Sequence, residues 1–107
     1  MAYESCFPQR LKAARKKKAI SQTELGRRMG LESTSASARM NQYESGRHQP
    51  DFNMAKKIAE QLDVPVAYLY CDSDDMADLI LKFSKLSQDQ RAAVLAFVAT
   101  QNKSDSP

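Results

Sequence analysis

A chain of 107 residues and 12.0 kDa has the size of one compact domain, or of a small domain with an appended element, and is too short for two full domains. Its 42% hydrophobic and 27% charged residues exclude the disordered class. No run approaches the roughly 18 apolar residues of a membrane span. The opening MAYESCFPQR also lacks the apolar core of a secretory signal, so the expected location is the cytoplasm. The formal charge of +3 hides an asymmetry. Ten basic and four acidic residues up to Pro50 give +6, whereas six basic and nine acidic residues from Asp51 onward give −3. A positive front and an acidic back suit charge steering toward a polyanion.

A first helix is predicted from Pro8, which a first turn tolerates, through Leu11, Ala14, Arg15 and Lys18 at helical spacing. Lys16, Lys17 and Lys18 close it, as the negative end of a helix prefers. Ser21 opens SQTE, a capping box in which the Ser21 hydroxyl accepts from the Glu24 amide and Glu24 reaches back. The second helix that starts there buries Leu25 and Met29 and ends at Gly30, where a left-handed backbone carries no steric cost. Glu32 to Ala38, ESTSASA, reads as a loop into a third helix with Met40 and Tyr43 on one face. Gly46 and Pro50 stop that helix.

A fourth helix is expected from about Asp51, with Met54, Ala55, Ile58, Ala59 and Leu62 as its apolar stripe. Pro65 opens a short fifth helix that buries Val66, Leu69 and Tyr70. After Cys71 the cluster DSDD reads as the acidic first turn of a sixth helix carrying Met76, Leu79, Ile80 and Phe83. Ser87 and Gln90 form a second capping box, ahead of a seventh helix with Val94, Leu95, Phe97 and Val98. QNKSDSP, residues 101–107, has nothing to bury and reads as a flexible tail. Cys6 and Cys71 stand far apart, with a single histidine, His48, and no CxxC pair, so neither a zinc ligand set nor a redox motif assembles. No metal and no cofactor is expected. Reduced thiols are one reading of the two cysteines and a Cys6–Cys71 bridge is the other.

RLKAAR, SQTELGRRMG, YESGRHQP and AKKIAEQLDVPVAYLY, spread between Arg10 and Tyr70, resemble the lambda-repressor-like family of helix-turn-helix regulators, the xenobiotic-response-element group. The resemblance implies an all-α chain. A five-helix DNA-binding domain at 8–71 would carry two additional carboxy-terminal helices at 72–100. It also implies double-stranded DNA as partner, read in the major groove by a helix about 10 to 12 Å wide while a second helix braces it. By the same resemblance Arg15 and Glu44 form an interhelical ion pair, Gln22 contacts a phosphate, and Gly26 supplies the small residue that lets two helices approach. Aligned backward from Tyr43 and Glu44, Met40 takes a buried position. Ser37, Ala38, Asn41 and Gln42 take the base-reading ones, with Arg39 beside them. Asn and Gln suit adenine edges, Arg suits guanine or phosphate, and Ala meets a thymine methyl. Arg47 falls in the loop where the family touches phosphate, with His48 next to it.

The sequence departs from the family between Gly30 and Met40, where it is longer by four residues, so that Ser33, Ser35 or Ser37 is each a candidate cap of the third helix. The last two helices either fold back as a lid or form an isologous dimer interface. Apolar residues around most of the seventh helix favour a homodimer through both helices. Two other function classes compete with a DNA-binding repressor. An antitoxin or accessory protein-interaction module would need neutralised recognition positions, against which the basic front argues. An enzyme would need a nucleophile, a base and an orienting group at telling spacings, which the chain lacks.

Overall fold

The structure, a computed structural model, describes residues 5–103. Those residues form seven helices and no strand, in the all-α class. The helices are α1 (Phe7–Lys17), α2 (Gln22–Arg28), α3 (Ser33–Ser45), α4 (Phe52–Leu62), α5 (Val66–Tyr70), α6 (Asp74–Ser84) and α7 (Gln88–Asn102). Among the described residues no helix is long and apolar enough to cross a membrane.

Local chemistry sets most of the ends. Ser21, Asp51, Ser73 and Ser87 each cap a helix by accepting a backbone N–H three residues on. At α7 the box is complete, because the Gln90 side chain also accepts the Ser87 N–H at 2.9 Å. At α2 only half of the expected box forms. Ser21 Oγ accepts the Glu24 N–H at 3.0 Å, but the Glu24 carboxylate turns to Arg28 at 3.0 Å and Arg27 at 3.5 Å. A charged partner one turn ahead is the stronger attraction for a carboxylate than a neutral amide. Gly30 and Gly46 take φ of +87° and +81°, ending the second and third helices.

The expected loop from Glu32 to Ala38 is helical from Ser33 onward. None of Ser33, Ser35 and Ser37 is the cap; Glu32 holds that position without a side-chain bond, and α3 runs for 13 residues from Ser33. Ala36 explains the change. It is fully buried against α2, so the first turn gains tertiary contacts that a loop would forgo.

Leu11, Leu25, Met40, Ile58 and Leu69 are the largest fully buried side chains, each contributing about 1.5 to 3 kcal/mol of burial. They bring α1 to α5 around one core, with α2 along α3 and α1 across α3 and α5. On α4 the expected stripe holds: Ala55, Ile58, Ala59 and Leu62 are buried and Met54 packs at the edge. On α5 the buried pair is Tyr68 and Leu69, whereas Tyr70 is exposed and Val66 only partly covered. Tyr70 stays near the surface with its ring 5.3 Å from that of Phe7, and burial together with the Asp51 charge pushes its phenol pKa up.

Arg10 latches α6 to this body. Its Nε donates to the Cys71 carbonyl at 2.8 Å, its Nη2 reaches Asp74 at 3.0 Å, and its guanidinium lies 5.7 Å from the Tyr68 ring centre. The face of α6 that packs is that of Ala77, Ile80 and Leu81, one helical turn apart, while Met76 and Leu79 are exposed. Arg91 fixes the α6–α7 turn by donating to the Phe83 and Ser84 carbonyls at 3.2 and 2.8 Å, with the Phe83 ring beneath it. Beyond that turn α7 buries none of its residues, and the molecule is elongated, 57 × 38 × 21 Å. The helix continues to Asn102, two residues into the stretch read as tail; residues 104–107 lie outside the described ones. Cys6 and Cys71 are both free and partly buried.

Candidate nucleic-acid interface

Two helices meeting at a close crossing set the geometry of the surface. A Cβ at Gly26 would lie 2.5 Å from the Ala36 Cβ and 2.8 Å from its Cα, so α2 approaches α3 as closely as its backbone permits. With Ala36, Met40 and Tyr43 turned into the core, the opposite side of α3 faces solvent. Ser37, Ala38, Arg39 and Asn41 are exposed there and Gln42 is half-buried. Arg47 and His48 are exposed in the loop after Gly46.

A hydrogen-bonded network runs beneath this face. Arg15 on α1 and Glu44 on α3 form a two-point ion pair, Nε to Oε2 at 2.5 Å and Nη2 to Oε1 at 3.1 Å. The Arg15 Nη1 also donates to the Ile20 carbonyl at 2.9 Å, holding the turn into α2. Gln22, the first residue of α2, donates to Glu44 Oε1 at 3.2 Å and to Asn41 Oδ1 at 3.4 Å, and accepts from the Ser37 hydroxyl at 3.4 Å. One side chain thus ties the start of α2 to two exposed residues of α3 and, through Glu44, to α1. The arrangement restrains Gln22, Ser37 and Asn41 before any ligand arrives. Among the described residues the Asn41 side-chain N–H groups have no acceptor.

Among the described residues, four of the ten cations in the positive half are engaged internally. Arg10 and Arg15 serve the fold, and Arg27 and Arg28 share Glu24. Among the described residues no ion pair involves Arg39 or Arg47, whose charges remain for an external anion. Sequence reading missed the first turn of α3, where Ser33, Thr34 and Ser35 are exposed and extend the same helix. Polar residues of this kind suggest a loop as readily as a helix start, and only the burial of Ala36 separates the two.

No group of three or more His, Cys, Asp or Glu side chains among the described residues is placed to hold a metal ion. No curated protein matches the chain. A helix-turn-helix family model matches residues 11–69, which spans α1 to α5. The crystal structure of the transcriptional regulator BswR is similar along nearly the whole length, with a TM-score of 0.87 at 42% sequence identity over 92% of this chain and 98% of that one. With α2 braced against α3 as described, the chain belongs to the lambda-repressor-like helix-turn-helix family of DNA-binding regulators.

Proposed function

We propose that the protein is a sequence-specific, double-stranded DNA-binding repressor that reads the major groove with α3 and acts as a homodimer through α6 and α7. The exposed face of α3, braced by α2 through Gln22, is the observation that carries this reading. Asn41 and Gln42 read base edges, Ser37 and Ala38 fill the groove beside them, and Arg39 contacts guanine or phosphate. Arg47, and Gln22 through its backbone N–H at the start of α2, hold the phosphate backbone. The similarity to a transcriptional regulator over almost all of both chains supports the assignment.

Selection of bound duplexes from a random pool gives the operator, and titration on that operator and on random DNA tests the roles. Asn41→Ala or Gln42→Ala should weaken operator binding by about 1 to 3 kcal/mol and binding to random DNA much less. The logarithm of the affinity should fall with the logarithm of salt by about 0.9 per phosphate neutralised. Equal losses on both DNAs would make Asn41 and Gln42 positioning residues, and a flat salt response would remove DNA as the partner.

The dimer rests on unpartnered apolar surface. Leu95 and Phe97, on different sides of α7, are 60% and 64% exposed and Leu79 on α6 is 52% exposed, a large apolar surface for two helices that stay in water. A two-fold assembly would place two α3 helices on half-sites about one helical turn apart, with the second engaging at high effective concentration. Sedimentation should give twice the monomer mass. Phe97→Lys together with Leu95→Lys should give a folded monomer, since neither side chain is needed by the core of a single chain. A monomeric parent protein at micromolar concentration would overturn the assembly and leave the DNA-reading face to be tested by itself.

A further inference from the structure

A concave feature lies where α6 joins the body formed by α1 to α5. A cavity of about 160 Å³ opens between the end of α1, the α4–α5 turn and α6. Ala14, Leu62, Val64, Tyr68 and Leu81 form its predominantly apolar wall, and Lys17, Lys18 and Lys85 stand around it with one carboxylate, Asp63. An apolar cavity of about 150 Å³ is large enough for a benzene ring. The charges at the mouth are unbalanced. Asp63 reaches Lys85 at 3.8 Å, and among the described residues no ion pair involves Lys17 or Lys18. The carbonyl end of α1 also lies here, and the basic residues of its last turn offset it.

We propose that this cavity binds a small organic anion, a compact aromatic or branched aliphatic body carrying one carboxylate. The apolar part enters against Val64, Tyr68 and Leu81, while the carboxylate stays at the rim and accepts hydrogen bonds from the Lys17 and Lys18 ammonium groups, which no carboxylate among the described residues engages. A ligand seated there touches α1, the α4–α5 turn, α5 and α6 together, and so fixes α6 to the body. Its role as a signal rests on the DNA-binding reading above; its binding does not.

The test uses the full chain without DNA, so that its failure is distinct from failure of the DNA-binding reading. Benzoate is titrated at millimolar concentration and followed by amide chemical shifts, with benzamide as the neutral isostere. Benzoate should give saturable shifts centred on Ala14, Val64 and Leu81, and slower hydrogen exchange along α6. Lys17→Ala combined with Lys18→Ala should weaken it about fivefold, and Val64→Phe, which fills the space, should abolish the shifts. The double lysine variant lies on the surface and stays informative if the filled cavity fails to fold. Absence of saturable shifts at these residues, or shifts centred on Arg39 and Arg47 instead, would overturn the site, and benzamide binding as tightly as benzoate would overturn the anion.

Discussion

Replacing Glu44 with alanine should lower the stability of the fold by about 3 kcal/mol, read as a reduced urea midpoint with an unchanged m value. The Glu44 side chain is 4% exposed and that of its partner Arg15 is 12% exposed. Removing the carboxylate leaves a guanidinium nearly cut off from water, with the Ile20 carbonyl as its remaining acceptor. A lost surface pair would cost at most about 1 kcal/mol. The same carboxylate holds Gln22, so operator affinity should fall in addition to stability. The variant with both partners made apolar, Arg15→Met with Glu44→Leu, should recover much of the stability, because no charge is then buried alone, but not the affinity. An unchanged midpoint for Glu44→Ala would mean that Arg15 finds water once its partner is gone.

The second large effect is expected at Gly26, where two terms oppose each other. Alanine is favoured over glycine inside a helix by about 1 kcal/mol. Against this, the new methyl would lie 2.5 Å from the Ala36 Cβ, 2.8 Å from its Cα and 2.9 Å from its carbonyl oxygen. Two of those atoms are backbone and cannot swing aside, so α2 and α3 must separate. Overpacking of this kind costs about 1 to 3 kcal/mol, and the rigid contacts put Gly26→Ala near the upper end. Thermal melts should show the loss, and Ala36→Gly added to Gly26→Ala should restore only part of it, since the Cα and carbonyl contacts remain. Operator binding should weaken further than stability alone explains, because tilting α3 displaces Ser37 and Asn41 from their brace, Gln22 on α2. A Gly26→Ala protein that melts at or above the parent temperature would refute the close crossing.

The local signals that the sequence carries are those whose partners lie within four residues. Ser21 and Ser87 cap helices because a hydroxyl meets an amide three positions on, and Gly30 and Gly46 end helices because a positive φ is nearly free for glycine. The stripe on α4 is equally legible, since Ala55, Ile58, Ala59 and Leu62 recur at the helical period. Resemblance supplied what periodicity alone does not: the Arg15 and Glu44 pair and the exposed positions on α3 are far apart in the chain.

Tertiary packing decided the rest wherever two local outcomes were close in energy. ESTSASA has no strong preference, and the contact of Ala36 with Gly26 made it the first turns of α3. Glu24 had a neutral amide and two arginines within reach, and the charges prevailed. Tyr68 displaced Tyr70 from the core because the arrangement of α1 and α6 around α5 chooses which side of a five-residue helix is covered. Ala77, which no hydrophobicity pattern favours over Met76 or Leu79, became the buried residue of α6 because the face it shares with Ile80 and Leu81 is the one turned to the body. The sequence by itself determined the number and order of the helices and the family they belong to. Only the tertiary structure decided where α3 begins, which face of α6 packs, and that α7 extends from the body with its apolar residues exposed, because each depends on surfaces brought together from distant parts of the chain.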